Sequence, residues 1–235
     1  MTPELLAALN EARAAKRRAC LVRFLATEEE VLAVDGKVVV GGGLPAEVAD
    51  AVEKALRRDA SEMVETERGP VFLQVFNPPL RLAIVGAVHI AQSLAPMAAL
   101  AGYAVTVIDP RRAFASDARF PDVALVNDWP DEALAALAPD RRTAVVTLTH
   151  DPKIDDPGLD AALKSEAFYI AALGSRRTHA GRVMRLKELG HDDATIARIH
   201  GPAGIDIGAV SPAEIAISVL AQMTAVLRRV NGTAG

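Results

Sequence analysis

Cysteine is almost missing from this chain. One residue in 235, Cys20, carries a thiol. An intramolecular disulfide is therefore impossible, and a multi-cysteine zinc or iron–sulfur site is excluded. Long apolar runs are missing too. No stretch reaches the roughly 20 residues that a membrane-spanning helix needs. The opening residues, Met1 to Asn10, lack the basic stretch, apolar core and cleavage site of a secretory signal. A cytoplasmic location is the expectation. Positive charge is not in excess either. Lys and Arg number 26 against 30 Asp and Glu, for a net charge of −4. That balance argues against a nucleic-acid or membrane-surface binder. Aromatic residues make up only 4%. Abundant Ala and Arg beside them point to GC-rich coding rather than to function.

What remains is a chain rich in ordinary core residues. It is 51% apolar and 24% charged, enough for a sizeable core in one or two domains. A break falls at Asn77-Pro78-Pro79, because paired prolines fit neither a helix interior nor a central strand. Residues 1–78 read as a small α+β domain. A helix from Pro3 to Arg18 precedes strands near Cys20–Ala26, Val31–Ala33 and Lys37–Val40. Gly41-Gly42-Gly43 then turns into a helix from Pro45 to about Arg57, with the proline just inside its start. Strands near Met63–Glu67 and Val71–Val75 flank the turn signal Arg68-Gly69-Pro70.

From residue 79 to 235 the pattern alternates and predicts a Rossmann-like parallel sheet. The strands are short apolar runs near Arg81–Val85, Ala104–Asp109, Val123–Val126, Thr143–Leu148 and Phe168–Leu173, as expected when helices cover both faces. Helical spacing marks Ile90–Ala101, Glu132–Leu137, Gly158–Ser165 and His179–Leu189. A last helix over Ser211–Val230 opens on Ser211-Pro212-Ala213-Glu214, a capping box.

Four segments carry candidate chemistry. In the first, Gly86 ends a strand and a helix follows, so free N–H groups and a positive dipole end face the turn. Asp109, about 20 residues on, stands where a ribose 2′-hydroxyl is bound in dinucleotide folds. Val88 occupies the place of the second glycine in Gly-x-Gly-x-x-Gly, and His89 follows at the helix entrance. The second segment, Thr149-His150-Asp151-Pro152-Lys153-Ile154-Asp155-Asp156-Pro157, reads as a proline-stiffened loop at the carboxyl edge of the sheet, dense in charge. A zinc site from His89, His150 and an Asp lacks ligand spacing, so no metal is assigned. The third, Gly174-Ser175-Arg176-Arg177-Thr178, brings a turn, a hydroxyl and two guanidinium groups to one helix start, a design suited to an oxyanion. The local alternative is an N-cap serine with solvent-facing arginines. The fourth, Gly201-Pro202-Ala203-Gly204-Ile205-Asp206-Ile207-Gly208, reads as a packed loop that places Asp206 near a ligand.

Gly86-Ala87-Val88-His89-Ile90-Ala91-Gln92, Thr149-His150-Asp151-Pro152-Lys153, Ala172-Leu173-Gly174-Ser175-Arg176-Arg177-Thr178 and the Gly201–Gly208 segment, followed by Ser211-Pro212-Ala213-Glu214-Ile215-Ala216, together resemble the XdhC/CoxI family. The likeness runs from about residue 82 to 228. Val88 replaces the middle glycine of the family's Gly-Ala-Gly-His turn. Of the family's N-terminal motifs only Gly41-Gly42-Gly43-Leu44 is recognisable, which marks a short, divergent member.

The resemblance implies a maturation factor for molybdenum hydroxylases such as xanthine dehydrogenase, a carrier rather than a catalyst. Such a factor binds molybdenum cofactor (molybdopterin), shields it while a cysteine desulfurase-type partner supplies the sulfido ligand, delivers it to the apo-enzyme, and works as a homodimer. On this reading Gly174, Ser175, Arg176 and Arg177 hold the phosphate, and His89, His150 and Asp151 face the pterin or metal end. The rival reading is an NAD(P)-dependent oxidoreductase with Asp109 on the ribose. Val88 and the lack of a Tyr-x-x-x-Lys pair stand against it. A third is an interaction domain with an empty crevice. Sulfur transfer through Cys20 is a separate option.

Overall fold

In a computed structural model, which describes residues 1–230, the chain divides into the units Met1–Pro78 and Pro79–Val230. The first comprises α1 (Pro3–Ala14), β1 (Ala19–Phe24), β2 (Glu30–Val34), β3 (Lys37–Val40), α2 (Ala46–Arg58), β4 (Glu62–Thr66) and β5 (Gly69–Phe76). Its strands form an antiparallel sheet in the order β3-β2-β1-β5-β4. The period-two geometry of a strand sorts β1 between two cores. Ala19 and Leu21 pack with Leu5, Leu9 and Ala12 of α1. Cys20, Val22 and Phe24 pack with Val48, Val52 and Leu56 of α2. Burial of one such Val or Leu contributes about 1.5–3 kcal/mol. Both faces are covered, so β1 reads as an unbroken apolar run.

Three boundaries differ from the sequence expectation. α1 stops at Ala14 rather than Arg18, because Lys16 turns left-handed at φ 52° and ends the helix. Pro45 sits at the N-cap of α2 rather than inside it. Gly69 and Pro70 belong to β5, and the turn is residues 67–68.

The second unit comprises β6 (Leu80–Val85), α3 (His89–Leu100), β7 (Tyr103–Ile108), β8 (Ala124–Val126), α4 (Pro130–Leu137), β9 (Thr143–Thr147), α5 (Pro152–Leu163), β10 (Tyr169–Ala172), α6 (Arg176–Glu188), α7 (Asp193–Ile196), β11 (Ile199–His200) and α8 (Pro212–Val230). All neighbouring strands are parallel, in the order β11-β10-β9-β6-β7-β8. Counted from β6, that is the Rossmann order 3-2-1-4-5-6 read from the far edge. The order reverses between β6 and β9, so the crevice at the topological switch point opens there. Leu82 and Ile84 of β6 pack with α3 and α8 on one face. Ala83 and Val85 pack with α4, α5 and α6 on the other.

α5 corrects the reading of its segment as a loop. The helix starts at Pro152, not Gly158, with Asp151 as N-cap and the proline in the first turn. Pro157 lies inside the helix, although the sequence reads it as stiffening a loop. Gly158 explains the tight packing there. A Cβ on it would lie 3.3 Å from Pro130 and 3.4 Å from Val85. At α8 the capping box is formed. Ser211 Oγ accepts from the Glu214 N–H at 3.3 Å, and Glu214 Oε2 accepts from the Ser211 N–H at 2.8 Å. α7 and β11 escape the sequence pattern because four and two residues hold no period. Among the described residues no helix is long and apolar enough to cross a membrane.

Candidate functional site

The turn after β6 is pulled tight across the switch point. Gly86 adopts φ 110°, and a Cβ there would stand 2.5 Å from the Thr149 methyl group. Only glycine lets the β6 and β9 loops approach this closely. The next amide is already committed. Ala87 N–H donates to Asp109 Oδ2 at 2.8 Å. Asp109 is fully buried, and the Arg111 guanidinium grips both of its oxygens, Nε to Oδ1 at 2.9 Å and Nη2 to Oδ2 at 2.8 Å. The Arg111 N–H adds a bond to Oδ1 at 2.9 Å. Burial pushes this carboxyl upward. The bonds from Arg111 and Ala87 outweigh it and hold the group below the usual carboxylate range.

Asp109, expected to face a ligand, is turned inward in this structure. Its oxygens are spent inside the protein, and it draws away an N–H that a dinucleotide fold offers to a pyrophosphate. Val88, at the N-cap of α3, packs on the core shared with α8. His89 is the first residue of α3 and is exposed.

The β9 loop is organised by Asp155, which is 1% exposed. Its carboxylate accepts from Thr149 N–H at 3.2 Å, Thr149 Oγ1 at 2.7 Å and His150 N–H at 3.0 Å. Those bonds hold His150 at φ 64°, a left-handed conformation that non-glycine residues seldom adopt. Burial still pushes the Asp155 carboxyl up, against the bonds from Thr149 and the nearby Arg182. Asp151 is turned to its own helix, Oδ1 accepting from Lys153 N–H at 3.0 Å.

At the start of α6, Ser175 is the N-cap, its Oγ accepting from Thr178 N–H at 3.1 Å and lying 2.9 Å from Thr178 Oγ1. Gly174 precedes it at φ 141°. The serine is thus the local cap that the sequence allows as an alternative. Arg176 and Arg177 are exposed, and neither has an ion-pair partner among the described residues.

Between α5 and α6 lies a cavity of about 260 Å³, lined by His150 and Asp155 on one side and Arg177, Thr178, Arg182 and Arg185 on the other. Two of the sequence-predicted residues, His150 and Arg177, meet there. Arg176, Asp151 and Gly174 do not line it. Asp206 lies elsewhere too, exposed, with Oδ1 accepting from Gly208 N–H at 3.3 Å. Arg182 and Arg185 are additions that the sequence reading misses. Their signal is present in the spacing: Thr178, Arg182 and Arg185 fall at i, i+4 and i+7 on one helical face. Opposite them stand Asp155 and Asp156, and Arg185 Nη2 donates to Asp156 Oδ1 at 3.1 Å.

Other possibilities narrow. Among the described residues no group of three or more His, Cys, Asp or Glu side chains is placed to hold a metal ion. A larger cavity of about 730 Å³ lies within the first unit, lined among others by Glu4, Glu28 and Glu30 against Arg23 and Met1. Its carboxylates suit no anion. Cys20 is completely buried, and burial pushes its thiol up to about 12. Such a thiol is poorly suited to give or take sulfur in the folded state.

The six-stranded order and the cationic cavity at the carboxyl edge of the sheet define a Rossmann domain whose first turn spends an N–H on its own Asp109 and whose paired arginines lie one strand away. Residues 82–223 match the XdhC Rossmann domain, and the chain belongs to that family. It is 36% identical over 151 residues to the molybdenum cofactor insertion chaperone PaoD of Escherichia coli, covering 64% of this chain and 41% of that protein. It is 32% identical over 161 residues to a probable xanthine dehydrogenase subunit of Bacillus subtilis, covering 68% and 47%. An uncharacterized Escherichia coli protein, YqeB, is 31% identical over 180 residues, or 75% and 33%. The match thus takes in less than half of each of these relatives. The fold is shared with a solved xanthine dehydrogenase structure from Bacillus halodurans at a TM-score of 0.72 and 26% identity, over 96% of this chain and 64% of that one.

Proposed function

We propose that this chain is a carrier for molybdenum cofactor that hands its cargo to a molybdenum hydroxylase of the xanthine dehydrogenase type. The observation that carries the reading is the cavity at the sheet edge, where guanidinium groups outnumber carboxylates in a protein of net charge −4. Molybdopterin presents a phosphate at one end and a planar hydrogen-bonding ring at the other. Arginines beside a helix start suit the first. The imidazoles of His150 and His89, exposed at neighbouring strand ends, suit the second. The naming of PaoD as a cofactor insertion chaperone supports the same role here. The carrier acts in the cytoplasm as a homodimer and keeps its cargo shielded while a cysteine desulfurase-type partner supplies sulfur. The chain's own residues bind and orient, with no catalytic group among them. The Asp109–Ala87 bond weighs against NAD(P) as the ligand.

The test is retention of molybdopterin by protein purified after co-expression with a xanthine dehydrogenase. Wild type retains it, and the double variant Arg176→Ala, Arg177→Ala loses most of it. Equal retention by both would rule out the arginine assignment, and no retention by wild type, or micromolar binding of NADH in a fluorescence titration, would overturn the carrier reading.

A further inference from the structure

Arg182 is 2% exposed, yet its Nε and Nη1 have no partner among the described residues. Only Nη2 is bonded, donating to Leu173 O at 2.9 Å. The nearest carboxylate oxygen, Asp155 Oδ2, is 3.9 Å away, beyond hydrogen-bond reach, and Asp155 is already bonded to Thr149 and His150. A buried guanidinium with open N–H groups is a strongly disfavoured arrangement unless something else accepts them. The neighbouring Arg185, by contrast, has Nε and Nη2 both bonded to the Asp156 carboxylate. Arg182 lines the cavity, and Arg177 stands on the same lining with no ion-pair partner among the described residues. The 13-residue α6 opens beside them with its positive dipole end.

We infer that this cavity is a tetrahedral-oxyanion site for a phosphate or phosphomonoester dianion, with Arg182 as the inner donor and Arg177 as the outer one. Two features fix the ligand class. Guanidinium groups match phosphate oxygens in charge and donor geometry. A volume of about 260 Å³ lies below the roughly 300–1,000 Å³ of clefts that take a whole drug-sized ligand, so the cavity takes a headgroup and leaves the rest of a larger molecule outside. Free inorganic phosphate and the phosphate of a bound pterin share this chemistry. Assignment to the pterin rests on the carrier reading above, whereas the oxyanion site does not.

The experiment is calorimetric titration of the full chain with inorganic phosphate at low chloride. Saturable binding is expected. Arg182→Lys keeps the charge but loses the planar donor set, and it weakens binding about tenfold or more. Arg177→Ala weakens it severalfold. If Arg182→Lys does not fold by circular dichroism, Arg177→Ala and Thr178→Val, both at exposed positions, carry the test. Absence of saturable binding by wild type, or unchanged affinity in the folded variants, would overturn the site. A further arm uses protein loaded with cofactor by co-expression. Blocked phosphate binding there assigns the cavity to the cargo's phosphate. Undiminished binding refutes that assignment while the oxyanion site stands.

Discussion

Replacing Asp109 by Asn tests whether the first turn of the Rossmann unit is locked rather than open. Asn keeps the shape and one acceptor. The charge is lost, and an NH2 group is brought against the Arg111 fork, donor against donor. Asp109 now accepts one backbone bond from Ala87 and three bonds from Arg111, all at 2.8–2.9 Å, in a fully buried position. Arg111 is 35% exposed, so water takes over part of its loss. The Ala87 N–H and the carboxamide have no such relief. An unsatisfied buried group costs about 1–3 kcal/mol, and breaking a buried pair about 3–5 kcal/mol. About 3 kcal/mol is the expected loss, or roughly 6–12 °C in Tm for a unit of this size. The single tryptophan, Trp129, lies in the same unit, so its fluorescence reports that unit's unfolding. pH supplies a second readout. The folded carboxyl is held below its ordinary value of about 3.9. Its contribution is therefore complete above that value and drains away as pH falls through the folded pKa. The gap between wild type and variant should be constant from about pH 5 to 8 and narrow below about pH 4. A variant within about 0.5 kcal/mol of wild type, with the same acid limb, would refute the lock.

Gly86→Ala should lower the stability of the same unit by roughly 2 kcal/mol or more in urea unfolding. It forces a Cβ to within 2.5 Å of the Thr149 methyl at φ 110°. A neutral effect would mean that the β6 and β9 loops are not held together as described. Cys20 should stay silent to a thiol reagent at pH 8 until denaturant is added, because a thiol pushed up to about 12 leaves a thiolate fraction of about one in ten thousand. Labelling of the native protein within minutes would reopen a sulfur-handling role.

The parallel sheet is legible in the sequence because its strands are covered on both faces. In β6, Leu82 and Ile84 face one core and Ala83 and Val85 the other, so burial leaves an uninterrupted apolar run. The start of α5 is not legible, for the opposite reason. Asp155 and Asp156 are polar and Pro157 is a helix breaker, so the segment looks like loop, yet burial at the inner face of the helix is what gives Asp155 its role. The site is half visible. Arg177 and His150 stand out because they flank strand ends, where ligands bind in such folds. Arg182 does not, because a lone arginine inside a helix reads as a solvated face. The spacing puts it on one face with Thr178 and Arg185, but that this face is buried at Arg182 shows only in the structure. Asp109 misleads for a related reason. The interval from Gly86 predicts where the carboxylate stands, but not that Arg111, two residues on, folds back over it.

Asp109 and Arg182 belong to one physical pattern. In a dinucleotide fold the first turn is left electropositive, and the ligand's own phosphates complete it. Here a side-chain carboxylate takes the Ala87 N–H instead, and Arg111 neutralises that carboxylate, so the turn has one donor fewer to offer an anion. The open demand appears one strand over, where Arg182 is buried without enough acceptors and Arg177 stands without an ion-pair partner beside it. An anionic ligand follows unsatisfied donors rather than sequence motifs. The phosphate end of any ligand should therefore lie between α5 and α6.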